Sequence, residues 1–126
     1  MNTPDNKFSF VLLYVDGPSD SATFYADLLG TPPVESSATF AMLPLNTEVM
    51  LGLWSRRTVE PVASAPGGGE IAFTVADAAA VESTHADWKK RGLPIVQAPT
   101  AMDFGHTFVA LDPDGHRLRV FAPAAA

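Results

Sequence analysis

Cysteine is absent from the 126 residues. No disulfide can form and no thiolate can attack a substrate or bind a metal, which suits the reducing cytoplasm. Positive charge is scarce as well: eight Lys and Arg stand against fourteen Asp and Glu, for a net charge of −6. Such a chain is poorly suited to the phosphate backbone of nucleic acid. No run approaches the roughly 20 apolar residues of a membrane span. The opening MNTPDNKF lacks the basic and then apolar build of a secretory signal. What the chain does hold is apolar material, 47% hydrophobic against 17% charged, enough for the core of one domain or two small fused modules.

Residues 8–15, FSFVLLYV, read as a buried strand. A DGPSDS turn follows, with Ser19 or Asp20 as the N-cap of a helix over SATFYADLL. In that helix Phe24 with Leu28, and Tyr25 with Leu29, are spaced to face a core. Gly30 ends it and Pro32-Pro33 prevents its return. Short strands are expected at 34–37, 38–43 and 48–55. Residues 57–69, RTVEPVASAPGGG, form a linker, because the glycine run leads into a strand rather than opening a phosphate-binding helix. The order then repeats. A strand at 70–75 precedes a helix capped by Asp77, with Val81, Thr84 or His85, and Trp88 toward its core, and Gly92 as its stop. Strands follow at 94–98, 106–111 and 116–121. The helix exits match, LLGTPPV in one half and KRGLPIV in the other. Strand–helix–three strands therefore occurs twice, in modules 1–56 and 70–126. The expected fold is α+β: two βαβββ modules forming curved mixed β-sheets around a cleft, with helices on the outer face.

Common catalytic signatures are missing. There is no Gly-x-Ser-x-Gly nucleophile turn. Glu82 and His85 have the spacing of a di-iron half-site, but no second copy exists. Asp112-Pro113-Asp114-Gly115 lacks the other ligands of a calcium loop and reads as a turn. Asp103-Phe104-Gly105 reads as a loop, with Phe104 as a lid.

The segments SATFYADLLG, EIAFTVAD…RGLPIV and FGHTFVALDPDGHRLRVF, in this order and spacing, resemble the vicinal oxygen chelate superfamily of glyoxalases, bleomycin-resistance proteins and extradiol dioxygenases. The resemblance covers nearly the whole chain. LGLWS, a following EPV, and FGHTF…DPDGHRLRV bring it nearest to the drug-binding proteins of the phenazine-antibiotic-resistance type. It implies paired modules, a homodimer, and a pocket lined by aromatic rings. Metal-dependent members draw ligands from four strands. Carried over, those positions fall on Phe10, on Gly52 (or, with a shift, nearer Ser55), on Glu70 and on Arg119. Only Glu70 has a side chain that binds a metal. A divalent catalytic site needs about three protein ligands, so no metal and no other cofactor is expected.

Alternation along the strands places Phe10, Leu12 and Tyr14 on one face, Met50, Gly52 and Trp54 on one face, and Arg117, Arg119 and Phe121 on one face. Trp54 is expected to stack on a ligand, with Gly52 leaving room for a flat molecule beside it. Trp88, spaced for the helix core, is a packing residue. Glu70 and Arg119 either pair with each other or meet the ligand. The first reading is thus a metal-free protein that sequesters a planar aromatic compound such as an antibiotic. Its site residues are Trp54, Phe10, Tyr14, Gly52, Met50, Glu70, Phe104, Arg119 and Phe121. The alternative is a lyase or isomerase that uses Glu70 as base, or a non-standard metal site built from His106, Glu70 and Glu48. A third reading is an interaction subunit whose cleft is filled by its own side chains.

Overall fold

The structure, a computed structural model, describes residues 7–124. The opening residues 1–6, part of the stretch read above for a signal, lie outside the described residues. The chain divides into two compact units, Met1–Ser64 and Ala65–Ala126. Among the described residues no helix is long and apolar enough to cross a membrane.

The first unit runs β1 (Phe10–Val15), α1 (Pro18–Leu29), β2 (Glu35–Ser36), β3 (Phe40–Pro44) and β4 (Met50–Ser55). Its sheet has the order β1-β4-β3-β2, with β1 parallel to β4 and the other pairs antiparallel. The second unit repeats the plan with β5 (Glu70–Thr74), α2 (Ala78–Lys90), β6 (Ile95–Met102), β7 (Gly105–Leu111) and β8 (Arg117–Pro123). Here the order is β5-β8-β7-β6, with β5 parallel to β8. Each unit is thus a four-stranded mixed sheet with one helix, in the α+β class.

Each helix covers one face of its own sheet, and alternation decides which side chains it buries. Under α1 lie Val15, Ala41, Leu43, Leu51 and Leu53, closed by Ala22 and Tyr25 of the helix. Under α2 lie Phe108, Ala110, Leu118 and Val120, met by Val81 and Trp88. Trp88 sets its edge against Phe73 and Phe108, at centroid distances of 5.8 and 5.4 Å. It is a core residue, as its helical spacing implies. His85 joins the same cluster, 5.3 Å from the Phe108 ring.

The start of α1 and the end of β6 differ from expectation, each for a local reason. Helix α1 begins at Pro18, with Gly17 in the N-cap position and no side-chain cap. Proline is pre-shaped for the first helical turn, where its missing N–H costs nothing. Ser19 instead donates to the Ser37 carbonyl at 3.3 Å. By contrast Asp77 caps α2 as expected, accepting from the Ala80 N–H at 2.9 Å. Strand β6 continues past residue 98 to Met102, carrying Pro99 through register shifts between Ile95 and Thr100. Proline is tolerated where a bulge removes the need for its N–H. The extension turns Asp103-Phe104 into a two-residue turn between paired strands, rather than a loop with a lid. Gly105 after it has φ of 146°, and a Cβ there would collide with the Ala122 carbonyl, so only glycine fits.

Candidate functional site

Pairing register gathers the candidates of the first unit on the face of its sheet away from α1. Phe10 lies beside Met50, Leu12 beside Gly52 and Tyr14 beside Trp54 on the parallel β1–β4 pair. On the other side of β4, Phe40 pairs with Trp54 and Met42 with Gly52. Trp54 and Phe40 meet edge to face at 6.2 Å. This face is apolar and largely open: Phe10 and Leu12 keep 41% and 44% of their surface exposed. One expectation is corrected here. Gly52 does not leave a vacant slot, because a Cβ on it would lie 2.5 Å from Leu12 Cδ2 and 3.1 Å from the Phe40 ring. Two neighbouring side chains fold over the glycine and occupy the room it provides. Phe40 belongs to this aromatic group and escaped the sequence reading, although alternation of β3 with β4 places it there.

In the second unit the centre is Arg119. It leaves β8 on the face away from α2 and meets Glu70 at the start of the adjacent parallel strand. Arg119 Nε donates to Glu70 Oε1 at 2.7 Å, and Nη2 to Glu70 Oε2 at 3.0 Å. Two parallel charge-assisted bonds make the fork-to-fork geometry that only arginine offers a carboxylate. Arg119 Nη1 donates to Thr107 Oγ1 at 3.1 Å and to Gln97 Oε1 at 3.3 Å. The Thr107 hydroxyl in turn donates to the Val120 carbonyl at 2.8 Å, so this fully buried side chain is both fixed and satisfied. The Phe104 ring lies 5.7 Å from the guanidinium carbon and meets Phe121 edge to face at 5.9 Å. Cation–π attraction and the backbone bond from Ala124 N–H to the Phe104 carbonyl, 2.8 Å, hold that ring in place. Arg117, on the same face, reaches Glu70 Oε2 at 3.7 Å.

The electrostatics follow from this geometry. The hydrogen bonds from Arg119 hold the Glu70 carboxyl below its ordinary value, against the opposing effect of partial burial, with added pull from the charges of Arg119 and Arg117. The bond to Glu70 likewise raises Arg119. Glu70 is therefore a firmly ionised acceptor and a weak base near neutral pH. Of the five guanidinium N–H groups of Arg119, four have partners. The fifth is on Nη2. Arg119 also lines a recess of about 250 Å³, together with Val96, Gln97, Val109 and Arg117.

The residues present do not fit a divalent ion. Phe10 offers a hydrocarbon ring, Gly52 no side chain, and Arg119 a permanent cation that occupies both oxygens of Glu70. Among the described residues no three His, Cys, Asp or Glu side chains gather as a metal-binding group. The alternative set fails on its histidine: His106 points to the helix side of its sheet, where Nε2 bonds Glu82 of α2 at 2.9 Å. Glu70 is on the opposite face, and Glu48 is exposed in the turn before β4. Gln97 and Thr107 are the polar residues the sequence reading missed. Thr107 is legible in the alternation of β7, two residues before Val109, the partner of Arg119. Gln97 is hidden by the bulges around it.

Comparison with known proteins agrees with this architecture. The family model for the glyoxalase/bleomycin resistance protein/dioxygenase superfamily matches residues 7–120. The chain is 30% identical over 112 residues to the phenazine antibiotic resistance protein EhpR of Enterobacter agglomerans, covering 86% of each. It is similar to protein ATC0852 of Agrobacterium tumefaciens, solved by solution NMR, with 53% identity, 95% and 99% of the two chains covered, and a TM-score of 0.86. A glyoxalase-related enzyme from Fulvimarina pelagi shares the fold alone, at 21% identity and a TM-score of 0.79 over 95% and 93% of the two chains. With this sheet order in each unit and a match over almost its whole length, the chain belongs to the glyoxalase/bleomycin resistance protein/dioxygenase superfamily.

Proposed function

We propose that this is a metal-free binding protein that sequesters a planar aromatic compound, such as an antibiotic, and does not transform it. The observation that carries the reading is the open aromatic face of the first unit, where Trp54 and Phe40 stand beside the half-exposed Phe10 and Leu12. Solvated rings on a rigid sheet lose little conformational freedom when a flat ligand covers them, and each well-placed aromatic pair adds about 0.5–1.5 kcal/mol beyond burial. Likeness to a phenazine resistance protein supports the choice of ligand class. In the first unit Trp54 is the stacking ring, with Phe10, Tyr14 and Met50 as its neighbours and Gly52 as the seat of Leu12 and Phe40. In the second unit Arg119 meets an acidic or carbonyl group, Glu70 orients it, and Phe104 and Phe121 supply apolar walls. The lowered carboxyl of Glu70 argues against a general-base lyase or isomerase. The protein acts in the cytoplasm as a homodimer, in keeping with its lack of cysteine and with the paired modules that the family resemblance implies.

Tryptophan fluorescence titrated with a panel of phenazines tests the reading directly. Trp88 is buried, so saturable quenching reports Trp54. Trp54→Ala should weaken binding about tenfold or more while the circular dichroism spectrum is retained. No quenching by any phenazine, or an unchanged affinity in Trp54→Ala, would sink the assignment.

A further inference from the structure

We propose that the recess beside Arg119 is a carboxylate subsite, and that the side chain of Gln97 is a placeholder which a ligand's acid group displaces. The inference deepens the binding reading above and rests on it for the identity of the ring that carries the acid. The subsite itself stands on the second unit alone.

Three features carry it. The first is the state of the guanidinium. Glu70 takes the edge formed by Nε and Nη2 with bonds of 2.7 and 3.0 Å, which leaves the end-on edge formed by Nη1 and Nη2, and Arg119 is one of the residues that line the recess. That edge has the same two-donor spacing that suits a carboxylate, and one of its N–H groups has no partner. The second is the quality of the Gln97 contact with Nη1. Gln97 Oε1 accepts from Nη1 at 3.3 Å, the longest bond Arg119 makes, and Gln97 Nε2 reaches only the Met102 sulfur, a weak acceptor, at 3.5 Å. A neutral amide held by two weak bonds yields readily to an anion that forms charge-assisted ones. Thr107, fixed by the Val120 carbonyl, keeps Nη1 aimed while this exchange occurs.

The third is the composition of the recess. Two guanidinium groups, Arg117 and Arg119, stand against the single carboxylate of Glu70, so the cluster has one positive charge in excess within a protein of net charge −6. Its floor is the buried Val109 and its wall the half-exposed Val96, both apolar. A cationic edge over an aliphatic floor suits an aromatic carboxylate better than a phosphate or a neutral carbonyl compound. At about 250 Å³ the recess takes a carboxyl group and one ring.

The experiment uses the whole chain labelled with nitrogen-15, titrated with benzoate and with benzamide as the neutral isostere. Benzoate is expected to shift the Arg119 Nε–H and Gln97 side-chain amide resonances saturably. Benzamide is expected to bind at least about tenfold more weakly, as loss of a charged hydrogen-bond partner implies. Gln97→Glu, which puts a tethered carboxylate against the same guanidinium, should abolish the benzoate response, and Gln97→Ala should retain or strengthen it. Absence of a benzoate shift, an equal response to benzamide, or full benzoate binding in Gln97→Glu would each overturn the proposal. Calorimetry with phenazine-1-carboxylate, phenazine-1-carboxamide and phenazine separates this failure from that of the binding reading. Benzoate shifts without phenazine binding uphold the subsite and refute the phenazine ring. Equal binding of acid and amide, without a benzoate shift, upholds the ring and refutes the subsite.

Discussion

Replacing Glu70 by Gln isolates the fork it makes with Arg119. The substitution keeps the shape of the side chain and removes its charge and one of its two acceptors. Two considerations bound the cost. Fully exposed ion pairs contribute about 0–1 kcal/mol, and breaking a fully buried pair costs about 3–5 kcal/mol. The Arg119 and Glu70 side chains are 18% and 28% exposed, which places the pair between these limits. Arg119 also retains Thr107 and Gln97 after the change, so it is not stranded. A loss of about 1.5 kcal/mol follows, or about 4–8 °C in melting temperature for a domain of this size. The pH dependence is the sharper signature. Because Glu70 is held below its ordinary value of 4.5 in the folded state, its contribution is complete above that value. It declines as pH falls toward the lowered folded value and is gone beneath it. Wild type and Glu70→Gln should therefore differ by a constant amount at neutral pH and converge in acid. Thermal melts of both proteins between pH 7 and pH 2.5 measure this. Equal stability at pH 7, or a gap that persists unchanged to the lowest pH, would refute the account of the pair.

Further outcomes follow from the packing. Trp88→Ala should cost about 3–5 kcal/mol in denaturant melts, as a large buried ring does, whereas Trp54→Ala should cost well under half of that because its face is open. Gly105→Ala should cost more than about 2 kcal/mol or prevent folding, since the new methyl meets the Ala122 carbonyl at a positive φ. Asp77→Ala should cost about 1 kcal/mol by removing the cap of α2. Metal-stripped protein should melt at the same temperature with and without zinc, nickel, manganese or iron(II). A saturable rise with any of them would reveal a site that the donor set described above does not provide.

The double βαβββ plan was legible in the sequence because its strands alternate cleanly and each helix has a marked end. The Glu70–Arg119 pairing was legible as one of two alternatives, because the positions carried over from the family resemblance put the two residues near each other; it is realised through β5 and β8, the first and last strands of one module, which lie side by side in parallel. What escaped was set by backbone detail. Pro18 outweighed Ser19 and Asp20 as the start of α1, because a residue already shaped for a first turn needs no capping side chain. The bulged path of β6 disguised Gln97, whose face cannot be counted by twos across Pro99. Gly52 was misread for a different reason. The absence of a side chain shows that something approaches closely, but not what, and here it is Leu12 and Phe40 rather than open space.

The cation at Arg119 is a covalent part of the chain. It cannot be removed by a chelator, exchanged for a competing ion, or changed by oxidation state, and no ordinary pH discharges it. A binding surface charged in this way is complete as soon as the protein folds. If the carboxylate subsite proposed above holds, its readiness depends on how much protein is made rather than on the supply of a metal.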